Sequence, residues 1–221
     1  MGGLQQWRLV VVDLDGTLIP GTSVARHLDD RMDTGDVIEQ LEPRLATGEL
    51  TNRQIAEAYA LSYRDVAEAQ VLAALGDVPT LTDVASGVES LREKGIDALI
   101  ATAGWSFGAR ALAQRWGFSA WCGVELEVDV ASRRFTGQVQ CHFEPEDKIT
   151  WVRSEARRRG VGMEQVVAIG DGFSDLPLFS VVGFSVALNA SPEARAAASA
   201  TVAGRSFVDA LAVVPGLIDQ H

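Results

Sequence analysis

Short apolar runs recur along the chain and alternate with longer segments in which the apolar residues follow helical spacing. The runs fall at 10–12, 98–101, 166–169 and 184–188. Such runs are typical of strands that are buried on both faces of a parallel sheet. The amphipathic segments fall at 84–94, 107–116 and 148–159. This alternation predicts an α/β fold in which helices cover both faces of a parallel sheet.

A block from Thr22 to Asp77 interrupts the alternation, because its pattern is helical throughout. The predicted helices are 24–31, 36–45, 52–63 and 65–75, with starts at Asp36, Thr51-Asn52 and Asp65 and turns at Thr34-Gly35 and Thr47-Gly48. This block has the size of a small helical bundle. We therefore assign residues 21–80 to an inserted helical domain, and residues 1–20 and 81–221 to the sheet domain.

Two later segments depart from the strand-helix alternation. Apolar residues alternate from 124 to 130, a turn follows at 131–134, and residues 135–139 return, which predicts a β-hairpin. The tail beyond residue 188 is rich in alanine and is predicted to be mainly helical.

Composition and charge narrow the class of protein. The 221 residues are 47% hydrophobic, which is enough for a substantial core, and carry a formal net charge of −11. That charge disfavours nucleic acid and anionic membranes as partners. No apolar stretch approaches transmembrane length, and Cys122 and Cys141 match no metal-binding spacing and are expected to be reduced. We expect a cytoplasmic protein, of an oligomeric state that the sequence does not fix.

The first apolar run ends in two carboxylates, Asp13 and Asp15, followed by Gly16. Open α/β sheets bind ligands at the carboxyl ends of their strands. Two close carboxylates repel each other unless a cation or a proton compensates, and Mg²⁺ prefers such oxygen ligands. Taken alone, the pair fits either a metal site or a helix cap and a turn.

Similar polar residues follow the other predicted strands. Asp171 lies between two glycines directly after a buried run, and Asp175 opens the next helix, where a carboxylate can also serve only the helix dipole. Thr102 to Gly104 would present a hydroxyl and backbone N–H groups to an anion, although such residues are common in turns. Lys148 begins a helix and matters only if it points toward the acids.

Together these residues resemble the haloacid dehalogenase-like hydrolase superfamily. The motif Asp-Leu-Asp-Gly-Thr begins at Asp13, a threonine ends the next major strand, a lysine follows, and Gly-Asp-Gly-Phe-Ser-Asp begins at Gly170. The resemblance runs from about Arg8 to Ala190. It implies a Rossmann-like parallel sheet in a three-layer α/β/α core. The helical insert resembles the four-helix cap of the phosphoserine phosphatase-like branch, and the hairpin resembles the β-hairpin flap of that branch.

The resemblance also implies roles for the residues. Asp13 would be the nucleophile that forms an aspartyl-phosphate, and Asp15 would be the general acid and base. Mg²⁺ would bind the Asp13 carboxylate, the Asp15 main-chain carbonyl and Asp171, with Asp175 in support. The phosphoryl oxygens would be held by Thr102, the Ala103 amide and Lys148. The activity implied is that of a phosphatase acting on a small-molecule phosphate monoester.

Departures from the family pattern concern the substrate. Phosphoserine phosphatases have a glutamate where this chain has Thr22, and a phenylalanine and an arginine where it has Asn52 and Tyr59. Arg44 or Arg53 could substitute if the alignment slips. We therefore predict that phosphoserine is a poor substrate and that the leaving group is neutral and bears hydroxyls. Trp105 would contact the substrate or, as we favour, pack beneath the cap.

Several alternatives stay open at this point. The chain could be a phosphoserine phosphatase, or a phosphotransferase or phosphomutase of the same fold. In a different class, receiver-type signalling domains also arrange acids, a threonine and a lysine around Mg²⁺. Two acids on the first strand and a large helical insert that could act as a lid favour an enzyme.

Overall fold

The computed structural model describes residues 7–32, 37–46 and 49–218. These residues are organised by one seven-stranded sheet with the order β4-β3-β2-β1-β5-β6-β7. β3 and β4 pair antiparallel, whereas the other neighbouring strands run parallel. The strands are β1 (Leu9–Val12), β2 (Asp97–Trp105), β3 (Ala120–Asp129), β4 (Arg134–Cys141), β5 (Val166–Gly170), β6 (Phe184–Leu188) and β7 (Ala200–Val202). The predicted α/β class is confirmed.

Helices connect these strands and cover them. The α-helices among the described residues are α1 (Val24–Met32), α2 (Val37–Ala46), α3 (Asn52–Ser62), α4 (Glu68–Ala74), α5 (Val84–Glu93), α6 (Ser106–Trp116), α7 (Asp147–Arg158), α8 (Leu176–Phe179), α9 (Pro192–Ala197) and α10 (Phe207–Ala212). None of them is long and apolar enough to cross a membrane.

The central strand β1 has apolar side chains on both faces, and each face belongs to a different core. Val10 and Val12 pack in the core that contains residues of α5, α6 and α10. Leu9 and Val11 pack in the core that contains residues of α7, α8 and α9. This two-sided burial explains the unbroken apolar run and confirms the three-layer α/β/α arrangement.

An aromatic cluster joins the helices that follow β1 to the sheet. Tyr63, next to the end of α3, lies with its ring centroid 5.8 Å from that of Trp105 and 6.0 Å from those of Phe107 and Phe135. Tyr63 and Phe135 are almost fully buried. Aromatic pairs at these distances and tilts are favourable beyond the area that they bury, so the cluster fastens α3 to β2, α6 and β4.

The start of α4 was predicted three residues too early. Asp65 has a φ of 64°, outside the helical region, and its N–H donates to the Phe135 carbonyl over 2.9 Å. Ala67 then forms an isolated bridge with Arg134. Residues 65–67 thus run beside β4, and the tertiary pairing overrides the helical pattern.

Two further predictions about elements needed correction. The tail is not wholly helical, because β7 lies between α9 and α10 and pairs with β6. The predicted hairpin exists, but β3 pairs with β2 before it turns into β4, so both strands extend the main sheet. The predicted helix start at Asp36 and the turns at 34–35 and 47–48 lie outside the described residues.

Candidate active site

The carboxyl ends of β1, β2 and β5 bring the motif residues together. Val12 is in register with Ile100 of β2 and with Ile169 of β5. The N–H of Asp13 then donates to the Ile169 carbonyl over 2.9 Å. Asp13 and Asp171 therefore leave adjacent strands at the same edge of the sheet, where such folds bind ligands.

Lys148, from the first turn of α7, is fully buried and its Nζ bridges the two acidic motifs. It lies 3.1 Å from Asp13 Oδ2 and 2.8 Å from Asp175 Oδ1, and it donates to Ser174 Oγ over 3.1 Å. Burial alone would lower the pKa of Lys148, but the Asp13 and Asp175 carboxylates outweigh this effect and raise it. The lysine is therefore charged, and it supplies a positive potential inside an acidic protein.

Three carboxylates at this edge could hold a cation. One oxygen each from Asp13, Asp171 and Asp175 lies within 4.8 Å of the other two. Burial and the neighbouring charge of Asp175 raise the pKa of Asp13 well above its usual range, although Lys148 opposes them. Burial also raises the pKa of Asp171 to about 6. The single positive charge of Lys148 does not neutralise three carboxylates. The hard oxygen atoms of these carboxylates fit a divalent cation such as Mg²⁺.

The Asp175 carboxylate is already engaged by the protein. Its Oδ1 accepts from Lys148, and its Oδ2 accepts from the N–H groups of Asp171 over 3.0 Å and Gly172 over 3.2 Å. A Cβ at Gly170 would lie only 2.2 Å from the Asp175 side chain, so a glycine is needed there. Asp175 therefore shapes the loop that presents Asp171.

Asp15 lies where the chain leaves the sheet for α1. Its Oδ1 accepts from the N–H of Val24 over 2.7 Å, at the start of that helix. Burial raises the pKa of Asp15 to about 6. A Cβ at Gly104 would lie 2.2 Å from Asp15 Oδ2, so the end of β2 approaches the carboxylate closely only because residue 104 has no side chain.

The predicted anion-binding residues lie in β2, which is longer than the sequence indicated. The strand continues through Thr102, Ala103 and Gly104 to Trp105, with an irregular register after Ala101. Thr102 is buried, and its Oγ1 accepts from the Gly104 N–H over 3.0 Å. This irregular end of the strand brings Gly104 close to the Asp15 carboxylate.

A cavity of about 210 Å³ opens between these strand ends and helix α3. Its lining comprises Asp13, Asp15, Ser23, Ala25, Asn52, Ile55, Ala56, Tyr59, Thr102, Ala103, Gly104, Trp105, Val124, Phe173 and Ser174. The two candidate catalytic acids and three of the four candidate specificity residues thus share one space.

The fourth candidate specificity residue, Thr22, is placed differently. Its carbonyl accepts from the Gly16 N–H over 3.1 Å, and the next residue, Ser23, lines the cavity in its place. Arg44 and Arg53, considered as substitutes for a family arginine, pair with Glu49 and Glu57 and are not among the described lining residues.

Sequence reasoning did not single out Ser23 and Ser174. Ser174 Oγ lies 3.1 Å from Lys148 Nζ and 3.5 Å from Asp13 Oδ2. The position of Ser174 inside the loop from Asp171 to Asp175 was an available signal. Ser23 carried no such signal, because a turn of the backbone decides which residue of the segment faces the cavity.

The fold and the site define a hydrolase of the haloacid dehalogenase-like family. The model of that family, "haloacid dehalogenase-like hydrolase", matches residues 10–180, and the chain belongs to this family. The predicted family, its phosphoserine phosphatase-like branch and the expectation of an enzyme are confirmed.

Two of the similar proteins are phosphoserine phosphatases. Phosphoserine phosphatase of Archaeoglobus fulgidus is 27% identical over 94% of this chain and 60% of its own length. That of Halobacterium salinarum is 29% identical over 96% of this chain and 98% of its own length. The chain thus spans less than two thirds of the Archaeoglobus relative but nearly all of the Halobacterium one.

A solved structure supports the fold independently. A HAD-family hydrolase of Salmonella enterica serovar Typhi has 17% identity and a TM-score of 0.88, and the match covers 97% of this chain and 73% of that chain.

Proposed function

We propose that this protein is a Mg²⁺-dependent phosphomonoesterase that works through an aspartyl-phosphate at Asp13. The observation that carries the proposal is the position of Asp13: buried, on the cavity wall, ion-paired with Lys148, and separated from Asp15 by the single residue Leu14. A nucleophile and a candidate acid therefore share one cavity, and a fixed cation lies within ion-pair distance of the nucleophile. Relatives named phosphoserine phosphatase support the same class of reaction.

In the first step, an Asp13 carboxylate oxygen forms a bond to phosphorus as the bond to the ester oxygen breaks. The leaving oxygen takes a proton from Asp15 and departs as the alcohol. In the second step, water attacks phosphorus and gives a proton to Asp15, and the Asp13–phosphorus bond breaks to release inorganic phosphate. One side chain can thus act as acid and then as base.

Other residues bind the phosphoryl group and the cation. Lys148, the Thr102 hydroxyl and the Ala103 amide are assigned to the phosphoryl oxygens, where fixed positive charge and N–H dipoles provide most of the catalysis of phosphoryl transfer. The Asp13 and Asp171 carboxylates and the Asp15 carbonyl would hold Mg²⁺, supported by Asp175. When bound, the ion offsets the repulsion between an anionic nucleophile and an anionic substrate.

Residues 21–80 are proposed as a cap on a core of residues 1–20 and 81–221. Helix α3 of this segment supplies Asn52, Ile55, Ala56 and Tyr59 to the cavity wall. A cap in this position limits the access of water to the reacting group.

A cytoplasmic location is likewise proposed, from the sequence features alone.

The proposed substrate is a small phosphate monoester other than phosphoserine. The described residues that line the cavity include no lysine or arginine, so a substrate carboxylate would have no partner there. The names of the relatives favour the alternative, phosphoserine phosphatase. The two proposals differ in the expected kcat/KM for phosphoserine relative to other phosphate monoesters.

Turnover of para-nitrophenyl phosphate with Mg²⁺ tests the reaction. We expect sustained release of nitrophenol and an equal amount of inorganic phosphate. Asp13→Asn should lower kcat by at least about 10³-fold. Asp97→Asn, an exposed change at the other end of β2, should leave kcat unaltered. A single stoichiometric phosphorylation would indicate a receiver-like switch instead. A deficit of phosphate when an alcohol is added would indicate a phosphotransferase.

A further inference from the structure

We infer that the leaving group of the substrate is an uncharged alcohol with a predominantly apolar surface, rather than an amino acid or a polyol. This inference rests on the proposed phosphomonoesterase function, and it specifies the class of ester that the site accepts. It depends on three features of the cavity: its charges, the orientation of its aromatic side chains, and its remaining polar groups.

The charged side chains at the cavity all lie at its phosphoryl end, which is the part next to Asp13 where the phosphoryl group would bind. Among its described lining residues, only Asp13 and Asp15 are charged. Lys148 is fully buried against Asp13 and so belongs to the same end. The segments outside the described ranges contain no lysine or arginine in their sequence. Those segments therefore supply no lysine or arginine that could bind a carboxylate.

Two arginines of the helical segment that could have bound a substrate carboxylate have acidic partners of their own. Arg53 of α3 pairs with Glu57 over 3.3 Å, and Arg44 of α2 pairs with Glu49 over 2.7 Å. All four of these side chains are about half exposed. Both arginines thus have acidic partners, and neither is among the described residues that line the cavity.

The aromatic residues present carbon to the cavity. Tyr59 and Trp105 both line it, and their rings meet edge to face with centroids 6.5 Å apart. Their polar atoms, the Tyr59 hydroxyl oxygen and Trp105 Nε1, are buried away from accessible space. A bound leaving group therefore contacts ring carbon on this side. The hydroxyl of Tyr59, which the sequence suggested as a partner for substrate hydroxyls, is not presented to it.

Aliphatic side chains and one exposed ring complete the wall. The aliphatic ones are Ala25, Ile55, Ala56 and Val124. Phe173, which is 61% exposed, lies at the edge of the cavity and offers a further apolar surface to a ligand.

Few polar groups remain for the leaving group. Asn52 donates one N–H of Nδ2 to the Phe143 carbonyl over 3.4 Å, which leaves its second N–H and its oxygen for a ligand. Ser23 adds one hydroxyl, whose oxygen already accepts from the Arg26 N–H. These two side chains offer about three hydrogen bonds, fewer than the several donors and acceptors of a polyol would need. A charged group would lose its hydration without gaining a partner.

Matched pairs of esters test this inference. Phosphotyrosine and 4-ethylphenyl phosphate share a phenyl leaving group and differ in the charged amino acid portion. O-phosphoserine and isobutyl phosphate form a similar aliphatic pair, and glycerol 1-phosphate represents polyols. In the wild-type enzyme with Mg²⁺, we expect kcat/KM for the uncharged apolar member to exceed that of its partner by at least about 10- to 100-fold, the factor expected when only one of the two charged groups of the amino acid, its carboxylate, is left unpaired.

Equal or reversed ratios would overturn the inference while leaving the phosphomonoesterase function intact. If no ester is hydrolysed, para-nitrophenyl phosphate included, the proposed function itself fails. The two failures are therefore distinguishable by this one control substrate.

A charge-insertion variant locates the source of the selectivity. Asn52→Arg places a cation on the cavity wall and should reduce the phosphotyrosine disadvantage by about 10-fold or more. Leu61→Arg adds the same charge to the same helix at a position that is 56% exposed and outside the cavity lining, and should leave the ratio unchanged. An unchanged ratio in folded Asn52→Arg protein would overturn the inference. If that variant does not fold, the wild-type panel decides alone.

Discussion

Replacing Lys148 by methionine removes the only described cation within hydrogen-bond distance of Asp13 and Asp175. The substitution keeps an unbranched side chain, which lacks the terminal nitrogen, and so deletes contacts of 3.1 Å to Asp13 and 2.8 Å to Asp175. Breaking a fully buried ion pair costs about 3–5 kcal/mol, because the remaining charge has neither water nor a partner. We expect the free energy of unfolding of the metal-free protein to fall by about that amount near pH 8.

The cost should depend on pH with a definite sign. Burial already raises the pKa of Asp13, and Lys148 opposes that rise, so the variant has a still higher pKa at this residue. When a group has a higher pKa in the folded state than in the unfolded state, the stability that it contributes is fully present at a pH below its unfolded-state pKa. That stability is lost as the pH rises through its folded-state pKa. The destabilisation of Lys148→Met should therefore be largest at pH 8 and clearly smaller at pH 5, because a lower pH favours the protonated form of Asp13, which needs no cationic partner.

Urea denaturation at both pH values in the presence of a chelator measures this effect. At pH 8 the midpoint should fall by about 1–2 M, given typical urea m-values. The exposed Lys94, the other lysine of the chain, provides the matched control Lys94→Met, which should shift the midpoint little. A loss below about 1 kcal/mol, or a loss equal at the two pH values, would refute the view that Lys148 neutralises buried carboxylates.

The remaining predictions concern Gly104, which lies against the Asp15 side chain, the binding of Mg²⁺, and the two cysteines. Gly104→Ala should lower kcat/KM by about tenfold or more, because the added Cβ would lie 2.2 Å from Asp15 Oδ2. Gly76 has open space around it, so the control Gly76→Ala should leave kcat/KM unchanged, and equal values of kcat/KM in the two variants would contradict the close approach of Gly104 to Asp15. Mg²⁺ should raise the Tm more at pH 8 than at pH 5, as measured by calorimetry, because the Asp171 carboxylate, whose pKa is raised to about 6, is mostly ionised only at the higher pH. A larger shift at pH 5 would be inconsistent with binding to Asp171. In native protein, a thiol reagent should modify exposed Cys141 and spare Cys122, whose pKa is raised by burial, and peptide mapping would reveal the reverse.

Much of the site could be predicted because it is encoded locally. The run from Leu9 to Val12 is apolar on both faces, which places it in the middle of a parallel sheet, and Asp13 follows it directly. The same logic places Asp171 after β5. Since parallel strands end at one edge of a sheet, the order of the motifs along the chain was enough to predict that the acids would meet.

Elements stabilised by distant partners were harder to predict. Asp65 lies in a segment with a helical pattern, yet its N–H donates to Phe135, far along the chain, so α4 begins later. β7 has three residues, too few to show an alternating pattern, and it exists because β6 offers it an edge. In both places, pairing with a distant strand outweighed local preference.

The sequence by itself determined the class of fold, the family and the identity of the motif residues, because apolar runs and flanking glycines act over a few neighbouring positions. Only the tertiary structure decided how the leaving-group end of the cavity is lined. It turned Ser23 rather than Thr22 inward and buried the polar atoms of Tyr59 and Trp105. The physical reason is that the orientation of a side chain depends on packing between elements that are distant in the sequence, and no local pattern records it.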